Sequence, residues 1–521
     1  MRRENLISNK DVEVKLEKAY TFFMVPFYYD NDDWSIIHAE KLNKWTSLST
    51  VLYKEDVLYP YIMDLFKQQS SSQKPRLDIY EYKSKDKGVN SQLFVDRILG
   101  KKQMALIAKN AVEKVEPKLI QFRLMNEKNF APHLFISPSA KIGIFTFSIE
   151  LLGNKNMEDL VTLNYFLHKR NESGKYQCVC LKPEEQDDAV IAVNYESINN
   201  QIPDLWKQHQ KSTMKNSDYI CWNLNDFVDC LLATMGKPKE GQRRLNYFSK
   251  DRMHLFTFCS IQDENDAIQK EDIMPNILRL SRCVSTTYML PFEDLIKQGA
   301  TLQTYDNIFY SSSIEGAAMI CIGKKDNSEF IKGIHEKFNR QYLLIYLLVL
   351  IQRYTLQSLE RLITELESSN KQSDDKLWDI IDVICRIKVN CYYTDVSIYT
   401  HHSQFYQHCC KNLHIPESFE EIGGKIELLK MTTERRMHII LQEQKTLMEE
   451  EKDAVERRQH MLNWVVAILT IAQVIQASYE IFSNDFDPAM HYSLILGGLG
   501  IVLLVILMWK DIIEFFKMIF K

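Results

Sequence analysis

The sequence predicts a mixed α/β domain followed by a long helical stalk and a two-helix transmembrane hairpin. Three observations predict it. Two apolar runs lie close together near the end of the chain, a stretch with no Gly or Pro leads into the first of them, and residues 1–325 alternate short β-prone runs with helical patterns.

The apolar runs span 461–481 and 492–509. Each is about 20 residues, which at about 1.5 Å per residue crosses a hydrocarbon core of roughly 30 Å. The loop between them, 482–491, has no Lys or Arg, whereas Lys452, Arg457 and Arg458 precede the first run and Lys510, Lys517 and Lys521 follow the second. Positive charge therefore flanks the same side of both runs, which predicts cytosolic ends, a cytosolic tail at 510–521 and an external loop. Trp464, Tyr479, Tyr492 and Trp509 sit where interfacial aromatic belts are expected.

The first run is not uniformly apolar. At 100° per residue Asn463, Ala467, Thr470, Gln473, Ala477 and Glu480 share one side of the helix, with Gln476 at its edge. Polar groups are costly in lipid, so this side is expected to face a helix bundle or a water-filled path. Asn463, Thr470, Gln473, Ala477 and Glu480 are the candidate pore-lining positions; the alternative is interhelical hydrogen bonding without a pore. Gly497, Gly498 and Gly500 in the second run permit close helix packing.

From Lys425 to Asp487 there is neither Gly nor Pro, and Gly423 and Gly424 are expected to mark the start of the helix. Residues 425–460 form the expected stalk, continuous with the first membrane run over roughly 85 Å. Ile426, Leu429, Met437, Ile440, Leu447, Val455 and Leu462 make a rough seam, interrupted by Thr433, Gln444, Glu451 and Arg458. A helix of that length needs a packing partner. The acidic group Glu449, Glu450, Glu451 and Asp453 is read as a solvated face rather than a cation-concentrating ring.

Residues 326–424 are expected to be antiparallel helices, Ser328–Ser368 and Asp374–Asn412, with a reversing turn at His414–Ser418. The apolar run Tyr342–Ile351 is too short to span a bilayer and reads as a buried core helix. Within 1–325 the expected strands are Tyr20–Val25, His133–Ile136, Ile142–Ser148, Gln177–Leu181, His254–Cys259, Thr286–Leu290 and Ala317–Ile322. Helical periods fall at Met157–Arg170 and Leu224–Met235, and Gln68–Pro75 reads as an exposed loop.

Composition narrows the function classes. The chain has 521 residues, 26% charged and 45% hydrophobic, with net charge -5, so no basic field points to direct nucleic-acid binding. The 11 cysteines show no repeated CxxC framework and all precede the apolar runs, as free thiols in a reducing compartment would. Met1-Arg2-Arg3-Glu4-Asn5 leads into charged sequence, so no signal peptide is expected and the bulk of the protein is placed in the cytosol.

No P-loop, GxGxxG, GxSxG or HExxH occurs, so an enzyme is not expected. His401, His402, His408, Cys409, Cys410 and His414 are of types that suit zinc, but their spacing matches no standard site, so a structural role is favoured and the metal is left unknown. Lys169, Arg170 and Lys175, and separately Arg243 and Arg244 after Gln242, are candidate phosphate-binding groups, because guanidinium forks match phosphate oxygens. Arg279 and Arg282 are weaker candidates.

This order of elements resembles the CorA family of divalent-cation channels. Asn463 and Ile468-Leu469-Thr470-Ile471 look like the start of that family's pore helix, and Asp485 and Asp487 fit its acidic external loop. The resemblance implies a homopentamer in a lipid bilayer with the first membrane helix lining the pore, and makes a divalent cation a possible ligand. The family's Gly-Met-Asn signature is absent; the region reads Ala477-Ser478-Tyr479-Glu480-Ile481-Phe482-Ser483-Asn484, which puts Mg²⁺ selectivity in question. With its larger cytosolic domain the chain resembles the divergent CorA-like proteins of type III CRISPR systems. That resemblance implies a bacterial inner-membrane effector of antiviral defence, gated by a nucleotide second messenger such as an S-adenosylmethionine–AMP conjugate. A divergent Mg²⁺ transporter and a membrane-anchored enzyme or scaffold without a pore are the alternatives.

Overall fold

A computed structural model describes residues 14–29, 45–47, 58–60, 62, 78–82, 104–108, 118–126, 130–138, 140–153, 155–169, 178–181, 193–194, 220–222, 228, 246–249, 252–263, 268, 270–291, 299–323, 328–368, 393–482, 497–500, 503 and 513. Two compact units divide the chain, Met1–Ile426 and Glu427–Lys521.

The first unit is built on a mixed sheet. Its strands are β1 (Leu16–Tyr28), β2 (Trp45–Ser47), β3 (Asp78–Tyr82), β4 (Met104–Ala108), β5 (Lys118–Leu124), β6 (His133–Ser137) and β7 (Ile142–Leu151). After helix α1 (Met157–Leu167) come β8 (Cys178–Leu181), β9 (Val193–Asn194), β10 (Ile220–Trp222), β11 (Asn246–Tyr247) and β12 (His254–Gln262). Helix α2 (Lys270–Arg282) leads to β13 (Thr301–Tyr305), β14 (Ile308–Ser312) and β15 (Gly316–Gly323). Among the described residues twelve strands share one sheet, in the order β13-β14-β15-β12-β1-β7-β6-β3-β2, with β11 on β1 and β4-β5 on β7. Strands β10-β8-β9 form a separate small sheet. The β12–β15 pair is parallel; the other described pairs are antiparallel.

Strand β1 sits at the centre and explains its own sequence. Successive side chains of a strand point to opposite faces. Ala19, Phe23, Val25 and Phe27 enter one core, which also holds Leu160, Leu163 and Leu167 of α1 and Ile273, Ile277 and Leu280 of α2. The alternate residues Tyr20 and Phe22 enter a second, aromatic layer with Phe130, Phe258 and Phe338. A strand covered on both faces reads as a continuous apolar run, as Ala19–Phe27 does. Gly143 lies opposite Phe27 in the β1–β7 register, and a Cβ there would fall 2.3 Å from the Phe27 ring, so the aromatic ring occupies the space the glycine leaves.

The second layer is helical: α3 (Ser328–Lys337), a π-helical turn at Phe338–Tyr342, α4 (Leu343–Ser368) and α5 (Thr400–Asn412). Phe256 of β12 meets Phe338 at 4.3 Å and Tyr346 at 4.8 Å between ring centroids. Tyr310 of β14 donates its hydroxyl hydrogen to Tyr342 at 2.8 Å. The helices of residues 328–412 are therefore a layer of the sheet unit, and α4 is its core helix: Leu344 to Leu350 are all buried.

Three expected elements differ. The helix expected over Asp374–Asn412 is helical only from Thr400 among its described residues, because 393–399 form an irregular segment in which Ser397 bridges to Leu58. Thr286–Leu290 is not a strand. Helix α2 ends at Cys283, whose φ of 52° turns the chain aside, and a tight turn follows with Tyr288 N–H on Ser285 O at 3.1 Å. The long helix α6 (Ile415–Phe482) starts ten residues before Lys425 and runs through Gly423 and Gly424. His414, at φ 56°, makes the reversal alone, and Pro416 suits the first turn because its missing N–H would have no partner there. The expected segments Leu224–Met235 (apart from Val228) and Gln68–Pro75 lie outside the described residues.

Candidate membrane segment and ligand-binding residues

Two helical stretches are long and apolar enough to cross a membrane, Gly333–Thr364 and Ile415–Ala477. Burial separates them. The apolar window of the first is 89% buried inside the sheet unit, whereas that of the second is 6% buried. Met461, Leu462, Val465, Val466, Ile468, Leu469, Ile471 and Ile475 are exposed by 40% to 67%. Leaving that much apolar surface in water is unfavourable by something of order 10 kcal/mol. The second stretch therefore calls for an apolar surrounding and the first already has one.

On this segment Trp464, Thr470 and Val474 are half-buried and Ala467 is buried, so positions spaced by three and four share a sheltered face. Asn463, Gln473 and Ala477 are exposed. Thr470 donates its hydroxyl to Val466 O at 2.7 Å, one turn back, which satisfies it without any partner helix. The stripe is thus unevenly covered: Ala467 and Thr470 are sheltered, and the amides Asn463 and Gln473 are exposed. Glu480 is within α6, but its side chain lies outside the described residues, as do Asp485 and Asp487. Of the second apolar run, 497–500 and 503 are described and helical, with Gly497, Gly498 and Gly500 bordered by open space.

In the sheet unit, Lys169 follows α1 directly. Helix α1 starts where Asn156 accepts a hydrogen bond from Asp159 N–H at 2.7 Å, and it ends at His168. Lys169 donates to Tyr165 hydroxyl at 2.9 Å, and its ammonium lies 4.0 Å from the Tyr165 ring centroid. Its backbone also pairs with that of Arg252 in an isolated antiparallel bridge, which sets a second cationic residue opposite it in register. Arg252 carries no motif, and only the strand pairing reveals it. Arg170, Lys175, Arg243 and Arg244 lie outside the described residues. Arg279 and Arg282 occupy the last turn of α2, where cations complement the helix dipole. Burial lowers the pKa of Arg279, and its Nε has no hydrogen-bond partner.

The His/Cys group of α5 divides along the helix. The His401 and His402 rings lie 4.1 Å apart, with His401 Nδ1 3.3 Å from Tyr305 hydroxyl and His402 Nδ1 3.4 Å from Ser397 Oγ. His408 Nε2 faces Asn412 at 3.1 Å. Cys410 donates weakly to Gln352 at 3.8 Å. Burial pushes the Cys410 thiol up to about 12 and holds His402 down at about 3, so both are neutral near pH 7. Among the described residues no three His, Cys, Asp or Glu side chains converge to hold a metal. Cys259, Cys283, Cys321, Cys409 and Cys410 are buried free thiols.

The root of α6 packs beside α4. Lys425 reaches Glu360 of α4 at 2.7 Å and Glu421 of its own helix at 2.7 Å, and these bonds raise its pKa. Glu360 and Glu421 also line a cleft of about 130 Å³, with Arg353, Leu356 and Gln357 of α4, Leu413 and His414, and Ser418 and Ile422 of α6. No family model matches the chain, no curated protein matches it and no solved structure matches it.

Proposed function

We propose that the protein is an oligomeric, CorA-like membrane channel or effector, opened by a ligand that binds the sheet unit. The observation that carries this reading is α6. Its first turns belong to the sheet unit, and its far end is an exposed apolar segment of membrane-spanning length that leaves the amides of Asn463 and Gln473 exposed. An inert anchor needs no amides within the bilayer, where each unpaired polar group is costly.

In this reading 461–481 and 492–509 form the hairpin, Asn463, Thr470, Gln473, Ala477 and Glu480 face the path, and several copies close it. A single hairpin cannot enclose a channel. The gating ligand proposed is a nucleotide second messenger, such as an S-adenosylmethionine–AMP conjugate, acting in antiviral defence at a bacterial inner membrane. Lys169 with Arg252 is the described cation pair that suits its phosphate. A ligand opens such a path only by binding the open form better than the closed one.

The decisive measurement is the mass of the detergent-solubilised protein, followed by ion flux from liposomes with and without S-adenosylmethionine–AMP. A pentamer with messenger-dependent flux supports the proposal. A monomer returns it to a membrane-anchored enzyme or scaffold. Flux that follows a Mg²⁺ gradient regardless of nucleotide makes it a divergent divalent-cation transporter.

A further inference from the structure

Gly423 and Gly424 sit inside α6, where each lowers helix stability relative to alanine. Packing does not require the second of them: a Cβ on Gly424 would meet nothing within 4 Å. The next residue, Lys425, carries the ion pair to Glu360 that ties α6 to α4. The cleft that Glu360 helps to line holds about 130 Å³, roughly ten times the ~10–15 Å³ that one water needs. The division between the two compact units falls immediately afterwards, at Ile426. A helix-weakening pair with open space beside its second glycine, a cleft and a cross-helix ionic tie thus coincide within a few residues.

We propose that the root of α6 is a charge-latched hinge, in which Gly423 and Gly424 let the helix bend and the Lys425–Glu360 pair holds it against α4. The cleft gives the root room to move, since a close-packed contact would resist displacement. Helix kinks away from proline occur at such small-residue pairs. The tie is partly exposed, so it biases the hinge rather than locking it. Its place in opening the membrane path rests on the channel reading; the hinge itself does not.

Hydrogen exchange over 415–430 in the full chain in detergent tests it. Gly424→Ala is expected to slow exchange about fivefold, the effect of a glycine-to-alanine change in an exposed helix interior. Glu360→Gln, which removes the cross-helix arm, is expected to speed exchange two- to fivefold. Glu421→Gln, which removes only the arm within α6, is expected to leave it within twofold. Ser418→Leu, which fills the cleft, is expected to slow it. Equal effects of Glu360→Gln and Glu421→Gln would overturn the latch, and Gly424→Ala exchange no slower than the parent would overturn the hinge. In liposomes Gly424→Ala should reduce messenger-dependent flux. Changed exchange with no flux in any variant would leave the hinge standing and remove the channel reading.

Discussion

The side-chain amide of Asn164 donates a hydrogen bond to Thr257 Oγ1 at 2.8 Å, joining helix α1 to strand β12 through the middle of the core. Thr21 of β1 closes the group by donating to Asn164 Oδ1 at 2.9 Å. All three residues are at most 1% exposed. Thr21 Oγ1 also lies 3.2 Å from Thr257 Oγ1, so Asn164→Leu removes two hydrogen bonds but leaves the two hydroxyls bonded to each other, and it is expected to destabilise the sheet unit by about 1–2 kcal/mol. Replacing all three at once, with Thr21→Val and Thr257→Val added, is expected to cost less, because no under-satisfied polar group remains. Denaturant midpoints of the two variants check this, and a triple variant weaker than the single one would contradict it.

Gly316 opens β15 beside Leu255, where an added Cβ would lie 2.6 Å from the Leu255 carbonyl oxygen. Backbone cannot swing aside as a side-chain tip can. Gly316→Ala is therefore expected to disturb the parallel β12–β15 pairing and lower the thermal midpoint, at a cost of roughly 1–3 kcal/mol. Gly497→Ala meets open space and is expected to leave the thermal midpoint unchanged.

Burial holds several histidines neutral: His133, His168 and His408 at about 4, and His254 at about 3. Their folded pKa values lie below the ordinary 6.5, so the unfolded chain binds more protons at mildly acid pH. The stability they contribute is complete above about pH 6.5. It is lost progressively as pH falls toward 4. The thermal midpoint is expected to drop between pH 7.5 and pH 5, and a flat or rising profile would count against buried neutral imidazoles.

Gln473 is exposed on the membrane segment. Under the channel reading, Gln473→Leu is expected to change single-channel conductance severalfold without changing the oligomer mass. Thr470→Val is expected to have a smaller effect, because the Thr470 hydroxyl is already satisfied by Val466 O. Equal conductance in the parent and Gln473→Leu would remove Gln473 from the path.

The elements legible in the sequence are those whose burial is nearly uniform. Strands β1, β7, β12 and β15 read as apolar runs because helices cover both their faces, and α4 shows as an apolar helix for the same reason. Edge pieces were less visible. The hairpin β13–β14 turns at Asp306-Asn307 without a glycine, and its outer strand alternates between half-buried and exposed. Helix α2 carries Pro275 at its sixth position, inside the helix, which masks a helical pattern because proline cannot make the hydrogen bond back to residue 271. The glycine pair of α6 reads locally as a helix boundary. Burial of Ile415, Ile422 and Ile426 carries the helix through it. Of the candidate site residues, the exposed amides of α6 were readable from helical spacing, whereas Arg252 became visible only when β-pairing placed it beside Lys169.

The central position of β1 has a consequence for how the chain is made. Ala19 pairs with Cys259, 240 residues later in the chain. At about 5–20 residues per second, roughly 12–50 seconds of synthesis separate the two. During that interval Tyr20-Thr21-Phe22-Phe23-Met24-Val25 has an open edge and is a sticky β-forming segment. It is the part of the nascent protein on which a chaperone would act. Strand β15 ends at Gly323, well before residue 461, so the sheet can close before the membrane-length segment leaves the ribosome.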